Sequence, residues 1–115
     1  MKIYCDSSTR EACYVVEGPR PVVIPYSERV TVNVGEYRAV ILALEEAKRL
    51  KLEQVEIYTD SLLVVNQVSG NWKCQAEHLI PLRDKVRELL KNGGIELKWI
   101  PRERNIAGFC LSSLI

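Results

Sequence analysis

The chain has 115 residues, 47% of them hydrophobic and 27% charged, with a formal net charge of +1 from 16 basic and 15 acidic side chains. That length suits one compact domain over residues 1–115 and excludes two ordinary ones, and the composition excludes a disordered chain. No apolar run approaches the roughly 18 residues of a membrane helix, no signal-peptide apolar region opens the chain, and the near-neutral charge excludes a global field that draws nucleic acid.

An intracellular, cytoplasmic protein is therefore expected, without membrane association. Any nucleic-acid binding rests on a local patch, for which Lys73, Arg83, Lys85, Arg87, Lys98, Arg102 and Arg104 are candidates. Cys5, Cys13, Cys74 and Cys110 show no CxxC spacing and read as reduced, mostly buried thiols rather than a zinc site or a disulfide framework.

In chain order, residues 2–7 form a first strand, whose period of two puts Tyr4 and Asp6 on one face and Ile3 and Cys5 on the other. Ala12 to Glu17 is a second strand, Gly18-Pro19 a sharp reversal, and VVIPY after Pro21 a third. Pro25 cannot donate to a ladder, so the third strand belongs at a sheet edge or bulge. Short connections between the three imply an antiparallel meander. From Glu36 to Leu50, Tyr37, Val40, Ile41, Leu44, Ala47 and Leu50 recur at helical spacing and predict an amphipathic helix. VEIYTD then supplies a fourth, interior strand parallel to the first. A short helix through Leu62, Leu63 and Val65 is capped by Gly70, and a longer one runs from about His78 to Leu90 with Pro81 in its first turn. Asn92-Gly93-Gly94 stops it, IELKWI is the fifth strand, and the tail from Arg104 to Ile115 suits a terminal helix.

This order predicts an α/β fold: a mixed five-stranded sheet, strands 1–3 antiparallel and strands 4 and 5 parallel to strand 1, with helices on both faces. Asp6 and Asp60 end strands, where open α/β sheets place their ligands. Glu36 opens the long helix, where the free amides and dipole of a first turn favour a carboxylate even without function. Gly108, near the start of the last helix, costs up to about 1 kcal/mol relative to alanine and asks for a reason.

The arrangement resembles a type I ribonuclease H. NVGEYRAVILALEEA is similar to the family segment that carries a catalytic glutamate, YTDSLLVVNQVSGNWK to its Asp-Ser segment, and IPRERNIAG to its final segment, so that the resemblance covers nearly the whole chain. It implies hydrolysis of the RNA strand of an RNA–DNA hybrid by two Mg²⁺ ions, for which Mn²⁺ can substitute, about 4 Å apart and held by carboxylates. Asp6 would bridge the ions, while Glu36 and Asp60 would hold the one on the leaving-group side. Glu36 would also accept from a ribose 2′-hydroxyl, the group that tells RNA from DNA. The same likeness offers Asn33, Ser61, Gln67, Trp72, Lys73 and Asn105 as substrate-binding residues. Each of the first four also has a local reading: Asn33 as a turn residue, Ser61 as a helix cap, Gln67 as surface and Trp72 as partial core. His78 belongs to no motif.

The chain departs from the family pattern at three places. Asn105-Ile106-Ala107-Gly108 has glycine where the pattern has a fourth metal-binding aspartate, Ser7 stands for a glycine after Asp6, and Gly35 for an alanine before Glu36. Reduced or Mn²⁺-dependent cleavage is one expectation, with Glu103 the nearest carboxylate that could compensate. An inactive nucleic-acid-binding domain of the same fold is the alternative, and another nuclease of that fold a third. A monomer is expected.

Overall fold

The computed structural model describes residues 1–17, 21–91 and 93–112. The expected Gly18-Pro19 reversal, Asn92 in the helix stop and Leu114 in the terminal helix lie outside the described residues. The elements run β1 (Lys2–Ser7), β2 (Glu11–Val16), β3 (Pro21–Pro25), α1 (Val32–Arg49), β4 (Val55–Thr59), α2 (Leu62–Ser69), α3 (Ile80–Leu90), β5 (Ile95–Trp99) and α4 (Ile106–Ser112). Single 3₁₀ turns, Glu77–Leu79 and Arg102–Arg104, precede α3 and α4.

The five strands form one sheet in the order β3-β2-β1-β4-β5. β1 pairs antiparallel with β2, and β2 with β3. β4 lies parallel to β1 on one side and to β5 on the other. Pro25 thus sits on an edge strand, where its missing N–H removes no interior ladder bond. The parallel β1–β4 pair needs a crossover, which α1 supplies.

Alternation along β1 divides the interior. Ile3 and Cys5 face a core that gathers Tyr37, Val40, Leu44 and Ala47 of α1, Val64 of α2, and Leu79 and Val86 at α3. The opposite face carries Tyr4 beside Cys13 and Val15, covered by Ala107, Cys110 and Leu111 of α4. Helices therefore lie on both faces. Cys5 and Cys13 are buried, Cys74 and Cys110 partly so, and none of the four forms a disulfide among the described residues. No helix among the described residues is long and apolar enough to cross a membrane.

Local signals set most element ends. Ser61 caps α2 by accepting from the Val64 N–H, and Gly70 closes it at φ 89°. Arg87 of α3 donates to the carbonyls of Val68 (3.0 Å) and Gln67 (3.1 Å), so this member of the expected basic patch is a structural cap for α2. Gly94 holds φ 79°, and a Cβ there would lie 2.4 Å from the Glu53 carbonyl oxygen.

The start of α1 differs from the expectation. Thr31 is its N-cap, accepting from the Val34 N–H at 3.3 Å, and the helix begins at Val32. Val32, Asn33 and Val34 are weak helix formers, which hides these residues from a propensity reading. Glu36 consequently sits in the second turn, and the first turn holds no acidic residue. The preceding N–H, of Gly35, already donates to the Thr31 carbonyl. Free first-turn amides therefore do not account for a carboxylate at position 36.

Candidate active site

Three elements bring the carboxylates together. Tyr4 of β1 lies level with Tyr58 of β4, and continuing that parallel register brings Asp6 level with Asp60 just past the strand end. Gly35 packs the start of α1 so closely on Ser7 that Glu36 faces the same place. Ligand oxygens of Asp6, Glu36 and Asp60 all fall within 4.8 Å of one another, the one such cluster among the described residues. Asp6 and Glu36 are buried, at 8% and 7% exposure.

Their electrostatics follow from this crowding. Burial and then the charge of Asp60 raise the Asp6 carboxyl above its ordinary value, opposed by the Ser7 N–H at 2.8 Å and by the Arg102 charge. Burial, followed by the charges of Asp6 and Asp60, raises Glu36 from 4.5 to about 9. No ion pair among the described residues includes any of the three. Clustered acids of this kind suit a cation.

Asn105 is fully buried and ties the site together. Its Nδ2 donates to the Asp60 carboxylate (3.0 Å) and to the Cys5 carbonyl (2.9 Å), while its Oδ1 accepts from the Ala107 N–H (3.2 Å). It thus links β1, the end of β4 and the start of α4, and positions a carboxylate. The Trp99 indole N–H adds a bond to the Asp60 carbonyl at 3.2 Å.

The carboxylates open onto a cleft of about 1210 Å³, lined also by Ser7, Asn33, Ser61, Arg102, Glu103 and Gly108. Asn33 and Ser61 therefore stand beside the cluster, Ser61 while capping α2. Gln67 does not. At 6% exposure its Oε1 accepts from the Tyr37 hydroxyl at 2.6 Å, which places it in the interior between α1 and α2, neither on the surface nor in the cleft. Trp72 and Lys73 are exposed on the segment between α2 and α3, outside the lining of the cleft, as is His78. Glu103 lines the cleft but adds no oxygen to the cluster. Val32, the first residue of α1, and Phe109, the fourth of α4, are exposed apolar residues of the lining, a place that an apolar helix pattern alone does not distinguish from the core.

A family model described as reverse transcriptase-like matches residues 17–114. The fold is similar to that of RNase H1 from the halophilic archaeon Halobacterium salinarum NRC-1, with a TM-score of 0.81 and 28% identity over 96% of this chain and 92% of that one. It is also similar to the N-terminal RNase H domain of Rv2228c from Mycobacterium tuberculosis, with a TM-score of 0.75 and 30% identity over 96% and 93% of the two chains. This chain belongs to the ribonuclease H family. The full-length bifunctional protein Rv2228c is 38% identical over 78 residues, 67% of this chain but only 21% of that protein. LC11-RNase H1, solved in complex with an RNA/DNA hybrid, shares 27% identity at a TM-score of 0.75, over 90% of this chain and 87% of that one.

Gly108, which the sequence resemblance sets where the family pattern has an aspartate, lines the same cleft. A Cβ built there would stand 3.0 Å from Asp6 Oδ2, so the position faces the cluster yet supplies no donor. The donor set fits a divalent cation: three converging hard oxygens, two of them buried and repelling one another.

Proposed function

We propose that this ribonuclease H homologue is a metal-dependent endonuclease that hydrolyses the RNA strand of RNA–DNA hybrids, with activity reduced by the missing fourth carboxylate. The observation that carries the reading is the convergence of Asp6, Glu36 and Asp60 within 4.8 Å at the floor of an open cleft. The relative solved with a hybrid supports the choice of substrate.

In this reading Asp6, Glu36 and Asp60 would hold Mg²⁺ or Mn²⁺. When bound, such ions polarise a phosphoryl oxygen and lower the pKa of water. Asn105 keeps the Asp60 carboxylate turned toward its neighbours, so little reorganisation is needed on loading. Water adds to the phosphorus as the bond to the 3′ oxygen breaks, leaving a 5′-phosphate and a 3′-hydroxyl. Glu36 accepts from the ribose 2′-hydroxyl, Asn33 and Ser61 meet the minor groove from the rim, and Arg102 attracts the phosphate backbone. Trp72 and Lys73 serve the more distant DNA backbone. Gln67 acts indirectly, by buttressing α1 through Tyr37.

Gly108 favours a second reading, a binding domain that has lost its chemistry. One panel separates the two. Strand-labelled RNA–DNA hybrid, RNA duplex and DNA duplex are incubated with the protein and with Asp60→Asn, in Mg²⁺ and in Mn²⁺. Cleavage confined to the RNA of the hybrid, faster in Mn²⁺ and reduced at least about 100-fold by Asp60→Asn, is expected for loss of one of three ligands. Hybrid bound but uncut under every condition establishes the binding domain, and cleavage of the DNA duplex alone overturns both.

A further inference from the structure

Two of the departures from the family pattern meet in space. A Cβ at Gly35 would lie 2.4 Å from Ser7 Oγ and 3.0 Å from the Ser8 carbonyl oxygen. The serine hydroxyl thus occupies the space an alanine methyl would need, and serine at 7 with glycine at 35 is a complementary exchange of volume across the β1–α1 contact. The exchange brings in a polar group. Ser7 Oγ lies 2.6 Å from the Tyr26 hydroxyl and 2.6 Å from the Ser8 carbonyl. The Tyr26 hydroxyl in turn donates to the Gly35 carbonyl at 3.2 Å, using the second lone pair that a helical carbonyl keeps free. The guanidinium of Arg38 lies over the Tyr26 ring at 5.4 Å and holds it in place. Ser7 follows Asp6, and Gly35 precedes Glu36.

We infer that Tyr26 and Ser7 form a positioning clasp, which joins the end of β1 to the start of α1 and thereby sets the separation of the Asp6 and Glu36 carboxylates. The role of the clasp in metal binding rests on the function proposed above; its existence does not. Burial raises the Tyr26 hydroxyl above its ordinary value, so it stays a donor at neutral pH.

The test compares wild type with Tyr26→Phe, Gly35→Ala and Ser7→Gly, and with the Ser7→Gly, Gly35→Ala pair, by calorimetric Mn²⁺ titration and by metal-free thermal unfolding. Tyr26→Phe is expected to weaken Mn²⁺ binding about threefold to tenfold, the range of one net hydrogen bond, with hybrid affinity in EDTA unchanged. Gly35→Ala alone is expected to lower both Mn²⁺ affinity and melting temperature; in the pair the methyl enters vacated space and the melting temperature largely recovers, while Mn²⁺ affinity stays about threefold to tenfold below wild type, as in Tyr26→Phe, because the serine hydroxyl is gone. Wild-type Mn²⁺ affinity in Tyr26→Phe or in the pair overturns the clasp. If wild type binds no Mn²⁺, the metal reading fails by itself. The melting temperatures still decide the clasp: one lowered in Tyr26→Phe supports it, and one equal to wild type overturns it.

Discussion

Replacing Gly108 by aspartate is expected to raise metal-dependent hydrolysis of an RNA–DNA hybrid at least about tenfold and to add a second class of Mn²⁺ site. The position already faces the cluster, because its Cβ would come to 3.0 Å from Asp6 Oδ2. The Asp6 carboxylate must yield by a few tenths of an ångström, which the open side of the cleft allows. Gly108 is not among the positive-φ glycines, so a side chain introduces no backbone strain. Electrostatics decide the sign. At an effective dielectric of about 20, two unit charges about 4 Å apart interact by about 4 kcal/mol, and tenfold in affinity needs only about 1.4 kcal/mol. Without metal the same charge repels Asp6, so Gly108→Asp is expected to unfold at lower urea in EDTA and to regain stability in Mn²⁺. An unchanged rate together with an unchanged Mn²⁺ stoichiometry would show that the missing carboxylate does not limit this site.

Metal-free protein is expected to lose stability as the pH rises from 6 to 9, and Glu36→Gln to remove most of that loss. In the fold Glu36 titrates near 9, against an ordinary value of 4.5, because burial and then the Asp6 and Asp60 charges disfavour its ionised form. Between those values the folded chain keeps a proton that the unfolded chain has released. Stability is therefore full below the unfolded value and falls as the pH climbs through the folded one. Asp6, also raised, adds in the same direction. A neutral glutamine is expected to make the metal-free protein about 2–4 kcal/mol more stable than wild type at pH 9, less than the whole shift implies because neighbouring groups relax. Urea midpoints against pH in EDTA measure this. A flat wild-type profile, or a Glu36→Gln protein weaker than wild type at pH 9, would mean that the three carboxylates do not repel as their geometry dictates. Millimolar Mn²⁺ is expected to restore wild type at pH 8 and to do little for the variant.

Much of this was legible in the chain. The apolar, β-favouring runs MKIYCD and VEIYTD marked two strands with acids at their ends, Pro25 marked an edge, and Gly70 a helix cap, because each signal is local. The carboxylates of Asp6 and Asp60 were readable for the same reason. Glu36 was found but misplaced within its helix, since the Thr31 cap precedes three residues of weak helical propensity and packing against β1 overrides them. Gln67 was readable in principle: it lies three residues from buried Val64, on the helix face turned to the core, where a polar side chain needs a partner. That partner, the hydroxyl of Tyr37, lies 30 residues away and is set by tertiary packing. The fit of Ser7 to Gly35 was likewise visible only as two separate departures from a pattern, because the two positions are far apart in sequence and the fold alone creates their contact.

The most direct measurement is a calorimetric titration of Mn²⁺ into the protein at pH 8, alongside Asp60→Asn. Saturable binding to wild type, weakened at least about tenfold in the variant, is expected if the three carboxylates form a divalent-cation site. Equal affinity in the two proteins, or no binding to wild type, would contradict it.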